Sequence, residues 1–471
     1  MRSVKLIFLF CTLFVLAGCA FQKYRAAPVS PPQTAATLEA RTLADPGLRQ
    51  FLTAKSEHPP ATWPIPQWDL PNLTLAAFYY NPALQVARAR VAQAEAAIVT
   101  ARTRPNPTVS GDVGGETAPE SPWIAGLVGS LPIETAGKRG HRITVAERAA
   151  DVARWNLAVV AWNVRAQVRT ALLEYVAAGQ NLHLLRTEAD LRAQQVELLE
   201  QRLAVGMIPR PEVDTARIQH TQALLAAQAA EGRAAQAEVS LAAAIGVPTA
   251  ALKSVKFACP DFAQPPSAAS FTPASIQQDA VLNRLDIHRA LAEYSASEAA
   301  LQLEIARQYP DFNLGPDYAF EEGSHLFSVV VGLALPVFNR NQGPIAEARA
   351  RREQMAAQFL AVQAAGIAQS EQAMAKYDAA LKELAQARQL IQQSRTQEQA
   401  AQNALQAGAG DRVALNGAQL QTAVTSVAQL NALLGAQQAL GDLENAVQRP
   451  LEQGDIQPLS PQSPLLKAAR K

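Results

Sequence analysis

Histidine, cysteine and carboxylate side chains could bind a metal, attack a bond or move a proton, and their spacing decides which. His58, His141, His183, His220, His288 and His325 are scattered, and none forms a His-x-x-x-His pair. No Cys-x-x-Cys, Gly-x-Ser-x-Gly or phosphate-binding loop occurs. Cys11 and Cys19 lie at the apolar start of the chain. Cys259 has no motif around it, so no intrachain disulfide framework is expected, and a lone thiol defaults to a small apolar group. Glu321-Glu322 adjoins Gly323-Ser324 and reads as the cap of a loop. Glu134, Lys138, Arg139 and His141 include metal-ligand types. Their alternating charge, where a strand-like run becomes helical, favours ion pairs instead. No catalytic constellation emerges; the expectation is a protein that is not an enzyme and needs no cofactor or resident metal.

The first residues have the form of an export signal. Arg2 and Lys5 precede Leu6–Leu16, an apolar run of about eleven residues, too short to span a bilayer. Leu16-Ala17-Gly18-Cys19 then matches a lipobox, which predicts cleavage after residue 18 and lipidation of Cys19. Ala20, in place of Asp, is the usual mark of sorting to the outer membrane. One short acyl chain holds weakly and reversibly, whereas several hold better. Loss of Arg2 and Lys5 takes the formal charge from +1 to about −1, which argues against a nucleic-acid partner. No later segment has about eighteen consecutive apolar residues. If the mature chain spans a membrane, it must do so as a barrel.

The elements that carry these residues repeat at an offset of roughly 205 residues. Residues 19–72 contain Pro28, Pro31, Pro32, Pro46, Pro59, Pro60, Pro64, Pro66 and Pro71 and predict an extended, lipidated arm. Residues 73–250 form the first repeat and 273–450 the second, with 251–272 as linker and 451–471 as tail. Each repeat opens with a helix, which stops at Arg104-Pro105-Asn106-Pro107 or Tyr309-Pro310-Asp311-Phe312. Two strands follow, about 107–133 and 311–338. Phe312, Leu314, Pro316, Tyr318 and Phe320 share one face, as do Phe327, Val329, Val331, Leu333 and Leu335. Such alternation fits a lipid-facing barrel strand or a strand over a soluble core equally well. A very long helix then runs to Gly206 in the first repeat and to Gly408 and Gly410 in the second, and a further helix returns. Met374, Tyr377, Leu381, Leu384 and Ile391 keep coiled-coil-like spacing, as do Val164, Val168, Ala171 and Tyr175. A helix from about 345 to 405 would be roughly 90 Å long, against the usual 11–12 residues, and belongs in an extended bundle or tube.

Four strands cannot close a barrel, because about eight is the minimum in membranes. Three chains would pool about twelve. The order of lipobox, Pro-rich arm, and duplicated helix, strand pair and helical hairpin resembles the TolC family of outer-membrane efflux proteins over nearly the whole mature chain. The runs 131–140 (Leu-Pro-Ile-Glu-Thr-Ala-Gly-Lys-Arg-Gly) and 335–343 (Leu-Pro-Val-Phe-Asn-Arg-Asn-Gln-Gly) are most similar to its heavy-metal branch, the cobalt–zinc–cadmium or copper–silver kind. The resemblance implies a mainly α fold with a small β part, assembled as a homotrimer with a 12-stranded β-barrel and an α-helical periplasmic tunnel. It implies a lipid-anchored place in the cell outer membrane. It further implies a passive exit duct that works with a periplasmic adaptor protein and an inner-membrane transporter of the RND type.

Within that topology both hairpin turns lie at the periplasmic tip. Asp411, Arg412 and Asn416, with Asp214 in the first repeat, are then gate candidates, since charged rings commonly gate pores. Gly206, Met207, Gly408 and Gly410 are candidates for adaptor docking. A cap or a solvated helix face is the plain alternative for each. The functional alternatives are a drug-efflux or type I secretion channel of the same fold, the periplasmic adaptor itself, or a structural coiled coil. The adaptor has one hairpin rather than two, and a coiled coil would lack the paired strands. Cargo is left open, because a passive duct need not recognise what it conducts.

Overall fold

The computed structural model describes residues 22–56, 59–115, 123–253, 255–321, 323–451, 460–463 and 466. The signal segment and Cys19 lie outside them, as do His58 and Glu322. Two units are present, one ending at Arg41 and one beginning at Thr42. The proline-rich stretch corrects the expectation of an extended arm. It forms helix α1 (Pro31–Glu39) in the first unit and α2 (Pro46–Lys55) in the second. Proline opens each helix, where its missing N–H costs nothing and its fixed φ suits the first turn. Asp45 caps α2 through the N–H groups of Gly47 and Leu48.

Each repeat contains a short helix, a second helix, a strand hairpin and a long helical hairpin. In the first repeat these are α3 (Leu70–Tyr80), α4 (Pro82–Arg102), β1 (Thr108–Gly115), β2 (Trp123–Ile133), α5 (Lys138–Ala204) and α6 (Arg210–Ile245). In the second they are α7 (Pro273–Leu282), α8 (Leu285–Ala306), β3 (Phe312–Glu321), β4 (Ser324–Leu333), α9 (Gln342–Gln406) and α10 (Arg412–Val447). The last strand is shorter than expected, ending at Leu333 rather than near 338. Its partner β3 begins at Phe312, which faces Leu333, so regular pairing ends there.

All strands are antiparallel in the order β1-β2-β3-β4, so the two repeats fuse through β2 and β3. That seam tightens at one point. Pairing runs through Val128↔Asp317, lapses, and resumes at Leu131↔Leu314. In the gap, Pro316 cannot donate, and Gly315 passes so close to Gly129 that a Cβ on Gly315 would overlap the Gly129 carbonyl.

α5 has 67 residues and α9 has 65, so each is about 100 Å long at roughly 1.5 Å per residue. Their return helices α6 and α10 have only 36 residues each. The strand-proximal half of α5 therefore packs on α4 and α8 instead, while that of α9 packs on α8. Tyr377, Leu384 and Ile391 are buried, and Met374 and Leu381 partly so, as their spacing predicts. Arg388, which breaks that stripe, donates to the Ala263 carbonyl at 2.8 Å.

The return helices are capped from the same place in both repeats, with different chemistry. Asn81 donates to the Ala244 carbonyl at 3.0 Å, closing α6. Arg284 donates to the Ala446 carbonyl at 2.7 Å, closing α10, and is held by both oxygens of Asp286.

A buried polar cluster joins the two hairpins. Arg165 and Arg169 on α5 converge on Glu444 of α10 at 2.9 and 3.4 Å. Arg169 also donates to the Gln437 carbonyl, and the Leu451 N–H donates to Glu444, both at 2.9 Å. Burial by itself would push the Glu444 carboxyl up. The two guanidinium charges, the Arg165 hydrogen bond and the Leu451 N–H outweigh it and hold the carboxyl below its ordinary value.

Three outcomes follow for the detergent-extracted protein. Glu444→Gln strips the shared carboxylate from two buried guanidiniums and should cost about 3–5 kcal/mol in denaturant unfolding. Because the folded carboxyl titrates lower than the unfolded one, its stabilisation is present above about pH 4.3 and is lost as pH falls through the folded value. The thermal midpoint of the wild type should therefore drop in acid more steeply than that of E444Q. Gly315→Ala should reduce the yield of folded, detergent-stable protein far more than Gly114→Ala, where a Cβ meets nothing within 4 Å.

Candidate functional site: sheet face, junctions and hairpin tips

Side chains alternate across a pleated strand, so the register assigns each residue a face. Val109, Val113, Trp123, Leu127 and Leu131 lie on the same face as Phe312, Leu314, Tyr318 and Phe320. Phe327, Val329, Val331 and Leu333 of β4 complete that face. Nearly all are exposed or half-exposed. The opposite face is mixed, with Ser110, Asp112, Ser130, Asn313, Asp317 and Ser328 interspersed with Ile124, Val128, Leu326 and Val330, and Ser328 donates to Asp317 at 2.8 Å. An exposed apolar sheet face of this extent marks a surface meant for lipid or partner. Aromatic rings gather near the β3–β4 turn, with Tyr318 against Phe327 and Phe320 against His325, both 5.2 Å between centroids. No helix among the described residues is long and apolar enough to cross a membrane.

Where strand passes into helix, the charged residues singled out above act as struts. Lys138 is buried and reaches Asp311 at 2.7 Å, and the Thr135 N–H donates to the same carboxylate at 2.8 Å. These bonds tie the first junction to the loop that starts β3. Arg142 pairs with Glu134 and donates to the carbonyls of Ala101 and Thr103. Arg139 donates to the Arg102 carbonyl at 2.7 Å. Both arginines thus satisfy the free C-terminal carbonyls of α4. Among the described residues no group of three or more His, Cys, Asp or Glu side chains could hold a metal ion.

The hairpin tips share one closure. Gly206 and Gly408 both take φ +72, and the following N–H groups of Met207 and Ala409 reach back to Arg202 and Ala404 at 2.9 Å. Each is a Schellman turn, which favours glycine at the left-handed position. Gly410 sits tight against the backbone of Ala404 and Leu405. Val205 and Met207 are well exposed at the first tip, whereas Ala407–Gly410 present little side chain at the second.

The four gate candidates fall into different settings. Asp411 caps α10 by accepting from the Ala414 N–H at 2.8 Å, and also pairs with Arg202 of the other hairpin at 2.8 Å. The Ala414 N–H, then Arg202, hold its carboxyl below the usual range. Arg412 is exposed beside it. Asn416 is buried and donates to the Leu191 carbonyl of α5 at 3.0 Å, while its Oδ1 is buried without a partner. Asp214 lies in a solvated ion network with Arg210 and Arg217, and Arg217 reaches Glu200 at 2.6 Å. Arg202 was missed by sequence reasoning, because nothing local marks a partner in the other hairpin.

The family model for outer membrane efflux proteins matches residues 75–247 and 276–447, the two repeats in turn. The chain belongs to the outer membrane efflux protein family. Its place is the outer membrane, and its fold is the family's mainly α architecture with a small β part. Over 284 residues it is 28% identical to the cobalt-zinc-cadmium resistance protein CzcC of Cupriavidus metallidurans, an alignment covering 59% of this chain and 65% of that protein. The chain thus spans just under two-thirds of the length of that curated relative. A crystal structure of a membrane protein from Pseudomonas aeruginosa matches with TM-score 0.67 at 19% identity, covering 91% of this chain and 97% of that one. CusC, whose crystal structures concern conformational changes accompanying folding and transmembrane channel formation, matches with TM-score 0.63 at 17% identity, covering 91% and 99%.

The junction struts are unequal. Asp311→Ala strands a buried ammonium, whereas Lys138→Met leaves a half-exposed carboxylate that still accepts from Thr135. Asp311→Ala should therefore lower the thermal midpoint more than Lys138→Met does, as differential scanning calorimetry would record.

Proposed function

We propose that this efflux-family chain is the passive outer-membrane exit duct of a tripartite pump, working as a lipid-anchored homotrimer. The observation that carries this reading is the fused four-stranded sheet, apolar on one face and open at both edges. Within the chain, the trailing side of repeat one (β2 and α5) meets the leading side of repeat two (β3 and α8). Repeat two has the same trailing side, β4 and α9, and repeat one the same leading side, β1 and α4. Among the described residues those sides meet nothing comparable; α4 exposes Val86 and Val99, and α9 exposes Leu360. Repeating the internal contact between copies joins β4 of one chain to β1 of the next. Head-to-tail contacts of this kind close into rings. Three copies give about twelve strands, enough for a barrel with a lumen and no edge left in hydrocarbon.

The hairpin tips then form the periplasmic end. Val205 and Met207, beside Gly206, offer an adaptor its apolar contact. The smooth turn around Gly408 and Gly410 allows close approach of neighbouring backbones. Asp411 and Arg202 form an exposed pair that a docking partner can break, because surface ion pairs are weak and screened by salt. Asn416 holds the seam beneath, and Arg412 and Asp214 contribute charge around the opening. An adaptor protein and an RND-type inner-membrane transporter complete the pump. Heavy-metal cations are the proposed cargo class, on the strength of the curated relative and the junction runs. Cys19 is the proposed lipid anchor.

Light scattering on the detergent-extracted mature protein should give three times the chain mass, and planar bilayers should show discrete conductance. A monomer that neither conducts nor associates with membranes would overturn the duct. Asp411→Asn retains a capping side chain but removes the charge facing Arg202, so single-channel conductance should rise; unchanged conductance removes this pair from the gate. Loss of the gene should lower tolerance to cobalt, zinc or cadmium, whereas loss of drug tolerance alone would reassign the cargo.

A further inference from the structure

The two return helices have equal length and match residue for residue, Arg210 with Arg412 and Ile245 with Val447. The turns before them match in the same register, Gly206 with Gly408. One face of α10 is filled by α5 of its own chain. Asn416 donates to the Leu191 carbonyl there, the Gln437 carbonyl accepts from Arg169, and Glu444 pairs with Arg165. Leu420, one turn from Asn416, is only 5% exposed. Gly441 lies on this face too, where a Cβ would press on the Arg169 guanidinium.

The same face of α6 is bare. Ile218 matches Leu420 and is 60% exposed; Leu225, two turns on, is also 60% exposed, and Val239, which matches Gly441, is 55% exposed. α5 packs on a different side of α6, through the buried Val213, Ala216, Ala223 and Ala230. The polar ties are missing as well. Ala242 stands in place of Glu444, so no carboxylate gathers guanidiniums. Pro209 stands in place of Asp411, and Ala404 in place of its partner Arg202. Asp214 stands in place of Asn416, and Gln393 in place of Leu191. A carboxylate cannot donate to the carbonyl of that residue as the Asn416 amide does.

The helix that matches α5 is α9, and α9 of the same chain is engaged on α8 and α10. We propose, resting on the homotrimer reading above, that this face of α6 seats against α9 of a second copy, and that the tip opens by parting of these three seams between chains before the Arg202–Asp411 pairs within chains give way. Ion pairs and directed hydrogen bonds fix one geometry for the two hairpins of a chain, which therefore move together. Apolar contact has no direction, so the faces between copies can roll and slide.

The test uses the full mature chain carrying Cys259→Ser, Pro209→Cys and Ala404→Cys, reconstituted in planar bilayers. A short bifunctional thiol reagent should link neighbouring chains into covalent dimers and trimers and lower the single-channel conductance several-fold, and cleavage of the linker should restore it. The same reagent across Arg202→Cys and Asp411→Cys should leave the chains unlinked and should not lower the conductance of that variant. Asp214→Asn in the otherwise unaltered chain restores a donor to the seam between copies. It should lower conductance, the opposite sign to Asp411→Asn. A conducting protein in which residues 209 and 404 do not link chains, or link them with no loss of conductance, overturns the inference while leaving the duct intact. Closure by the bridge within the chain, or wild-type conductance in Asp214→Asn, does the same. A protein that conducts in no form removes the duct as well.

Discussion

A peptide N–H or C=O in hydrocarbon has no water to bond, and this one constraint organises the molecule. A four-stranded sheet with an apolar face can satisfy it along three seams but not at its two outer edges. The fusion of β2 to β3 makes one chain a double unit, with its remaining edges at β1 and β4. The closeness of Gly129 and Gly315 lies on that fused seam, which shows how little slack it has. The long helices follow from the same demand. A wall that continues a closed sheet must pass the chain out and back without leaving ragged backbone, and helices satisfy their own polar groups internally.

Polar side chains in the helical part do a second job, which is to fix register. Alanine-rich helices can slide against one another at little energetic cost, because their surfaces are uniform. Arg165 and Arg169 against Glu444, Arg284 against Ala446, and Asn416 against Leu191 each define one axial position for a pair of helices. The two repeats use different residues at matching places, Asn81 in one and Arg284 in the other. Duplication therefore preserved the architecture while the polar ties diverged.

The periodic part of this design was legible in the sequence. The repeat, the strand faces, the long helices and the glycine turns all follow from local patterns of apolar residues and breakers. The arm was misread because proline both breaks helices and starts them, and Pro31 and Pro46 do the second. The last strand was read too long because alternation continues past Leu333 after pairing has ended. The site was less legible. Asp411 was visible as a cap, but its partner Arg202 lies in the other repeat, and a single ion pair across such a separation leaves no local trace. Asn416 is a gate candidate on its place near a turn alone. Its burial depends on which side of α10 meets α5, and an alanine-rich helix gives a weak signal of facing.

The β2–β3 seam also has a consequence for biogenesis. Ile133 pairs with Phe312, yet the whole first helical hairpin and the linker separate them in the chain. As the protein is exported, N-terminus first, the β1–β2 hairpin emerges with its apolar face bare and must wait for its partner strands. Contacts so distant in sequence form slowly, and exposed apolar strands aggregate in the interval. The periplasm must therefore shield a half-made sheet, and the time needed to deliver the second repeat sets how long that protection lasts.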